Sequence, residues 1–225
     1  MKKSLIVASL LAGFAFAGSA SASSLNYNYV EAGFSHTSVD NGIDTNGIGV
    51  NGSWSLGRNF QVIGGFSAAE GDEYSVDQEI QSWNLGFGYA YPIGGSTALH
   101  VRAFYDYSEN DVTAGDFDGV GRLKGTLEAQ STVAEVGLRH AFNSRFEGWV
   151  YGGYTKIEEF KLTDVTLDGV GIDADTDLTT SLSDDESTYG RIGGLFKINR
   201  MWGVGGEVKA DKDFTSYTIG VRASF

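Results

Sequence analysis

The sequence predicts an all-β protein, built as an antiparallel up-and-down β-barrel of about ten strands, with eight strands as the alternative. Three observations support this prediction. Apolar and polar residues alternate along short segments, which is the period of a β-strand. Turn residues recur at short intervals, and the chain contains 32 Gly but only 1 Pro. Helical periodicity is missing after residue 22, so the segments between turns are interpreted as strands.

The alternation places ten strands along the chain. In WNLGFGYAYP, residues 83–92, every second residue is a large apolar one, and the residues between them are Asn, Gly, Gly and Ala. In two segments the pattern leaves the orientation open: residues 25–34 carry apolar residues on both faces, and either Trp149 or Val150 belongs to the apolar face. The predicted strands are roughly 25–36, 47–56, 60–69, 80–91, 98–108, 128–142, 146–160, 188–198, 201–210 and 214–225.

The connections between these strands alternate in length. Short turns are predicted at 57–59, 92–97, 143–145 and 199–201, and longer polar segments at 37–46, 70–79, 109–127 and 161–187. Residues 211–213 are a brief exception on the long side. Bacterial membrane barrels have short turns at the periplasmic end and longer loops outside the cell, so this asymmetry favours that class.

The N-terminal segment MKKSLIVASLLAGFAFAGSASA indicates export. It combines two lysines, an apolar run from Leu5 to Phe16, and small residues at Ala20 and Ala22. This order predicts a signal peptide over 1–22, followed by a barrel domain over 23–225. The apolar run is shorter than the roughly 20 residues that a membrane-spanning helix needs. Cysteine is absent, which agrees with bacterial export without disulfides.

The chain is strongly acidic. Beyond residue 22 it carries 14 basic residues, which is 16 minus Lys2 and Lys3, against 29 acidic residues, for a formal charge of −15. Such a surface repels phosphate backbones, so nucleic acid is not an expected partner.

Alternation alone does not say which face of the barrel points inward. A soluble barrel, with the apolar face inside, is the alternative. Three features favour a membrane barrel: the polar face is mostly Gly, Ala, Ser and Asn, aromatic residues end the apolar stripes, and no charge interrupts the middle of a stripe. From Trp83 to Tyr91 the chain spans about 27 Å, or about 20 Å of bilayer at a tilt of about 40°.

Together these features resemble the small outer-membrane β-barrel proteins of Gram-negative bacteria, of the OmpA and OmpX type. The resemblance covers the chain after residue 22 and implies a monomer in the outer membrane, in contact with lipid and lipopolysaccharide. It also implies that the last strand is recognised by the barrel-assembly machinery. In addition, NYNYVEAGF at 26–34 is similar to short elicitor-type barrels of plant-associated bacteria. The implied assembly signal consists of Tyr217, Ile219, Val221 and Phe225.

The polar face of the predicted strands carries charged residues of both signs. A ten-stranded barrel has an interior only somewhat wider than the eight-stranded kind, which side chains fill. Two interpretations follow: a plug of paired charges, because an unpaired buried charge is costly, or a narrow polar pore for ions or small solutes. The predicted lumen residues are Arg102, Asp106, Glu135, Arg139, Arg191, Lys197, Glu207, Lys209 and Arg222.

Many of the acidic residues lie in the predicted outer segments. The spacing of Asp173, Asp175 and Asp177 is similar to a calcium loop, but Leu178 stands where an EF-hand requires Gly. We therefore predict no metal site, and a projecting hairpin with a turn at Asp168 instead. Weak bridging of this acidic rim to lipopolysaccharide by divalent cations is a further expectation.

Enzymatic chemistry has little support in the sequence. Of the three histidines, His36 lies near Asp40 on the long-loop side, and His100 and His140 lie near the short turns. There is no nucleophile elbow, phosphate-binding loop or metal cluster, so no cofactor is expected. We predict a non-enzymatic barrel with an envelope-structural or surface-interaction role through its acidic outer loops. A narrow porin-like channel is the first alternative, and an outer-membrane hydrolase is the second.

Overall fold

A computed structural model describes residues 25–40, 42–73, 76–117, 121–167, 172–173, 178–180 and 186–225. The predicted signal peptide lies outside these ranges and stays a prediction. Much of the acidic segment 168–185, including the side chains of the calcium-like triplet, lies outside them as well.

The described chain forms one antiparallel sheet that closes on itself. Ten strands make the ring, in the order β10-β11-β12-β1-β2-β3-β4-β5-β6-β7, and β7 then pairs with β10. The short β8 and β9 pair only with the upper part of β7. The strands are β1 Tyr29–Val39, β2 Thr45–Leu56, β3 Phe60–Glu73, β4 Val76–Pro92, β5 Thr97–Phe117, β6 Gly121–Ala141, β7 Phe146–Leu167, β8 Ile172–Asp173, β9 Leu178–Thr180, β10 Glu186–Lys197, β11 Trp202–Ala210 and β12 Phe214–Ser224.

This arrangement confirms the predicted up-and-down barrel of ten strands, and the eight-stranded alternative is wrong. The first and last strands meet over their whole length, from Tyr29 opposite Ser224 to Val39 opposite Phe214. Closure in this way leaves no free edge in the ring, which is what a sheet within a bilayer requires.

The apolar face of the barrel points outward. Phe87, Ile192 and Ile219 are 66%, 62% and 61% exposed, whereas the charged Glu135 on the opposite face is 4% exposed. A soluble barrel would show the inverse pattern. The choice between Trp149 and Val150, which the sequence left open, is also settled, because Val150 is exposed and lies on the outer face.

Aromatic residues mark the two ends of the apolar band. At the outer end, the ring of Trp83 lies 5.6 Å from that of Tyr105 and 5.9 Å from that of Tyr107. At the end with the short turns, Phe60 packs against Tyr89 at 4.9 Å, and other aromatic pairs continue the belt. Such girdles lie at the interfaces between hydrocarbon and water.

Three strands extend far beyond the outer girdle. β5, β6 and β7 contain 21, 21 and 22 residues, against 9 to 12 in β11, β12, β1, β2 and β10. Most of the predicted loop 109–127, and residues 161–167, are therefore strands. The reason is a second alternation: Leu127 lies opposite Leu162, and the space above Gly125 is occupied by Leu162 and Val165, so an apolar inner face supports the projecting sheet.

The opposite end of the lumen is closed by small apolar residues and by the segment that precedes β1. Leu25 enters the barrel and is buried with Ala90, Ala98 and Ala141, and Tyr27 packs against this group. Over the described ranges, no helix is long and apolar enough to cross a membrane.

Candidate functional site

The lumen contains a stack of ion pairs, and its lowest layer surrounds Glu147. Arg139, from β6, donates to the Oε2 atom of Glu147 from Nε at 3.0 Å and from Nη2 at 2.5 Å. Lys197, from β10, pairs with the other carboxylate oxygen. Glu147 is 0% exposed, so two cations compensate one fully buried carboxylate directly above the apolar closure.

The middle layer is centred on Glu135. Its Oε2 atom lies 2.9 Å from a guanidinium nitrogen of Arg102, on β5, and 2.9 Å from one of Arg191, on β10. The hydroxyl of Tyr189 donates to the other oxygen at 2.6 Å. Side chains from β5 and β10, which flank β6 and β7 in the ring, therefore meet at one carboxylate inside the lumen.

Glu207 extends this layer toward β11. It accepts a hydrogen bond from the Trp149 indole at 2.5 Å and from Arg191 at 3.2 Å. Arg191 thus bridges two carboxylates, Glu135 and Glu207. The indole contact also shows why Trp149 faces the lumen although it is a large apolar residue.

A separate ion pair spans the junction between the first and last strands. Arg222 on β12 and Glu31 on β1 are direct register partners. The Arg222 Nε and Nη2 atoms lie 2.7 Å and 2.6 Å from Glu31 Oε2, and the guanidinium stacks over the Tyr29 ring at 4.0 Å. This pair therefore joins the two strands that close the barrel.

Several lumen cations also pack against aromatic rings. Two guanidinium groups pack against the Tyr151 ring, with Arg102 at 3.9 Å and Arg191 at 4.5 Å from its centroid. Its hydroxyl is 3.0 Å from Nδ1 of His100. Higher in the lumen, the Lys209 ammonium lies 4.1 Å from the centre of the Tyr189 ring.

Above these layers, and between them, lies a cavity of about 290 Å³. It is lined by eight of the nine predicted lumen residues, including Asp106 and Lys209, and Lys197 lies beside Glu147 in the layer below. The cavity is polar and well suited to water or a small polar solute. A continuous passage, however, would have to pass the Glu147 layer and the apolar closure.

Several residues of this network were missed by the sequence interpretation. Glu31 lies in the segment with apolar residues on both faces, and Glu147 lies in the strand whose orientation was left open. Tyr29, Tyr151 and Tyr189 also point inward, although large apolar residues were assigned to the outer face. Once Val150 is known to face outward, the alternation along the strand places Glu147 on the inner face.

The three histidines have neutral hydrogen-bond partners. His36 lies 3.0 Å from Asn46 Oδ1, and His140 lies 2.7 Å from Thr97 Oγ1. Within the part of the chain that the structure describes, no group of three His, Cys, Asp or Glu side chains is placed to hold a metal ion.

The residues of the predicted assembly signal lie on the last strand and just beyond it. Tyr217, Ile219 and Val221 face outward and are 52%, 61% and 47% exposed. Phe225 follows β12, donates its backbone N–H to the Asn28 carbonyl at 3.1 Å, and places its ring 5.5 Å from Trp54. Recognition of this strand by the assembly machinery stays a prediction.

An outward apolar band between aromatic girdles, closed over a charged lumen, defines a membrane-spanning β-barrel of the outer-membrane class. Residues 7–183 match the family described as outer membrane protein beta-barrel domain. The chain therefore belongs to this family, and its location is the outer membrane. A comparison with curated proteins found no match.

Solved structures share the fold at low sequence identity. The translocator domain of the autotransporter NalP from Neisseria meningitidis is 12% identical, covering 100% of this chain and 95% of that one, with a TM-score of 0.55. The β-domain of the Bordetella autotransporter BrkA is 14% identical over 89% and 100% of the two chains, with a TM-score of 0.50. Ail of Yersinia pestis is 11% identical over 89% and 100%, with a TM-score of 0.42. The likenesses to NalP and BrkA concern the fold alone, and the one to Ail carries no argument.

Proposed function

We propose that this barrel is a non-enzymatic surface-interaction protein, in which the ten-stranded ring is an anchor and the projecting hairpins are the interacting part. The observation that carries this proposal is the asymmetric height of the sheet. β5 continues from Tyr107 to Phe117, about 33 Å along the strand at roughly 3.3 Å per residue. An anchor alone does not need this extension.

The ion pairs of the lumen support the anchor role. Glu147, Glu135 and Glu207 each have cationic partners one or two strands away in the ring, and the apolar closure lies below them. Breaking buried pairs of this kind is costly, so the lumen resists opening. The contacts in the lumen therefore favour a plug over a pore.

The outer face of the projecting sheet supports the interaction role. Strand parity turns acidic side chains outward above the girdle on five adjacent strands, β3 to β7, where they outnumber the basic residues Arg122, Lys124, Lys156 and Lys161. The fitting partner is a basic surface, or an anionic one such as lipopolysaccharide bridged by divalent cations. The acidic residues are Glu70, Asp72, Asp77, Glu79, Glu109, Asp111, Glu128 and Glu159.

A shortened hairpin tests this proposal. Glu109 lies opposite Glu128, so residues 110–127 can be replaced by Asn-Gly, which forms a two-residue turn at this register. The variant is expected to retain heat-modifiable migration on a gel, since the ring is unchanged. Binding to immobilised polylysine, and Mg²⁺-dependent binding to lipopolysaccharide, are expected to fall.

The matched control keeps the hairpin and exchanges its outward acids. Glu109→Gln, Asp111→Asn and Glu128→Gln together preserve length while removing three negative charges. If both variants bind these probes as the wild type does, the acidic hairpin is not the interacting part. If only the shortened variant loses binding, the shape of the hairpin matters and its charge does not.

A further inference from the structure

The lipid-facing wall contains a groove at a pair of glycines. Gly52 on β2 and Gly64 on β3 are register partners, and both occupy outward positions between large apolar neighbours. Without side chains at these two positions, the outer surface is indented over about 340 Å³. This groove is separate from the charged lumen.

The walls of the groove are apolar and come from four strands and the residue after β12. Val30 flanks Gly52 from β1, and Leu85 flanks Gly64 from β4. Along the strands, Val50 and Phe66 lie at one end, and Trp54, Val62 and Phe225 lie at the other. The polar residues next to it, such as Asn51 and Ser53, alternate with the outward set and so turn into the barrel.

A second pair of outward-facing glycines shows that neighbouring side chains can fill an indentation of this kind. Gly148 lies opposite Gly194. A Cβ atom added at Gly148 would lie 2.9 Å from Phe142, and one added at Gly194 would lie 3.5 Å from Phe146. The chain thus fills that indentation with its own rings. A Cβ at Gly52 would meet its nearest atoms at 3.6 Å and 4.0 Å, and one at Gly64 would meet a backbone oxygen at 3.2 Å and Leu85 at 3.5 Å, so no aromatic ring lies within 4 Å of either position.

The depth of the groove in the membrane indicates which molecule would occupy it. It lies between the Trp83 level and the Trp54–Phe225 contact, within the hydrocarbon region, where the established neighbour of this wall is lipid. We propose that the groove binds one acyl chain of a phospholipid from the inner leaflet of the outer membrane. A partner barrel would need a far larger matching surface, about 800 Å² on each side.

Charge at the two ends of β2–β3–β4 favours a phospholipid over lipopolysaccharide. Above the groove, the outward residues of β3 and β4 are acidic, with Glu70 opposite Glu79 and Asp72 opposite Asp77, so this patch repels a phosphorylated outer-leaflet headgroup unless divalent cations bridge the two. Below it, Arg58 is exposed in the turn between β2 and β3. A cation at this depth suits the phosphate of an inner-leaflet lipid.

The test counts lipid molecules that stay bound to the folded barrel. Barrel refolded in phosphatidylglycerol vesicles is extracted in mild detergent and weighed by native mass spectrometry. We expect one retained phospholipid on the wild type and loss of this molecule in Gly52→Leu, because the new side chain fills the groove. The matched control is Gly152→Leu, at an outward glycine with nothing within 4 Å of its Cβ, and it is expected to retain the lipid.

Two further variants keep the result decisive. Should Gly52→Leu not fold, Val30→Phe narrows the groove from the other wall and is expected to have the same effect. Arg58→Gln is expected to weaken retention without filling the groove. Equal retention by Gly52→Leu and the wild type, or none by the wild type, would overturn the proposal. Preferential retention of lipopolysaccharide from a mixed vesicle would overturn the assignment to the inner leaflet.

Discussion

Glu147 is the residue on which the lower lumen depends most directly. It is fully buried, and Arg139 and Lys197 both place cationic nitrogens against its carboxylate. In a site of this kind the ions stabilise one another only together, because each has lost its hydration. Removing the single anion leaves two buried cations, which is worse than removing one partner of a simple pair.

We therefore expect Glu147→Gln to lower the free energy of unfolding by about 3–5 kcal/mol. Urea titration of the barrel in vesicles, followed by tryptophan fluorescence, measures this change. Glu158→Gln is the control, since the Lys156–Glu158 pair is exposed and 3.4 Å long. Exposed pairs contribute about 0–1 kcal/mol, so equal effects of the two variants would contradict the role of burial.

The Tyr189 hydroxyl gives a second prediction for a single residue. It donates to Glu135 at 2.6 Å in a buried position. Tyr189→Phe is expected to cost about 1.5–3 kcal/mol, because a hydrogen bond to a charged group is lost. Tyr105→Phe removes a similar bond, to Gln130 at 2.6 Å, but on the exposed outer wall. The same titration should show the larger loss for Tyr189→Phe.

At the scale of strands, the period of two carried most of the prediction. The alternation of residues such as Leu85 and Phe87 with small polar ones predicted which side chains face outward. The number of alternating segments predicted ten strands. The upper parts of β5 to β7 were missed because their outward residues are as polar as those of a loop. The inward tyrosines were missed because alternation measures polarity, whereas Tyr151 and Tyr189 face inward to stack on cations and donate hydrogen bonds.

The last strand gives a prediction at this scale. Ile219 lies on the lipid face of β12, between the girdles. Ile219→Lys is expected to destabilise the barrel by about 2–4 kcal/mol, as a charge at the bilayer midplane does. Ser38 also faces outward, but it lies at the upper end of β1, opposite Thr215. Ser38→Lys should therefore have little effect on the stability of the barrel. Refolding yield at increasing urea, measured by heat-modifiable migration, distinguishes the two.

For the whole molecule, the decisive property is whether the lumen conducts. The Glu147 layer and the apolar closure lie in series below the cavity, so ions that enter from outside meet both. We expect the wild type to show no discrete openings in a planar bilayer. The triple variant Leu25→Ala, Arg139→Ala and Glu147→Ala removes large side chains from both barriers, leaves Lys197, and is expected to conduct anions. Discrete openings of the wild type would favour the porin-like alternative, and silence of both proteins would contradict the placing of the barrier in these two layers.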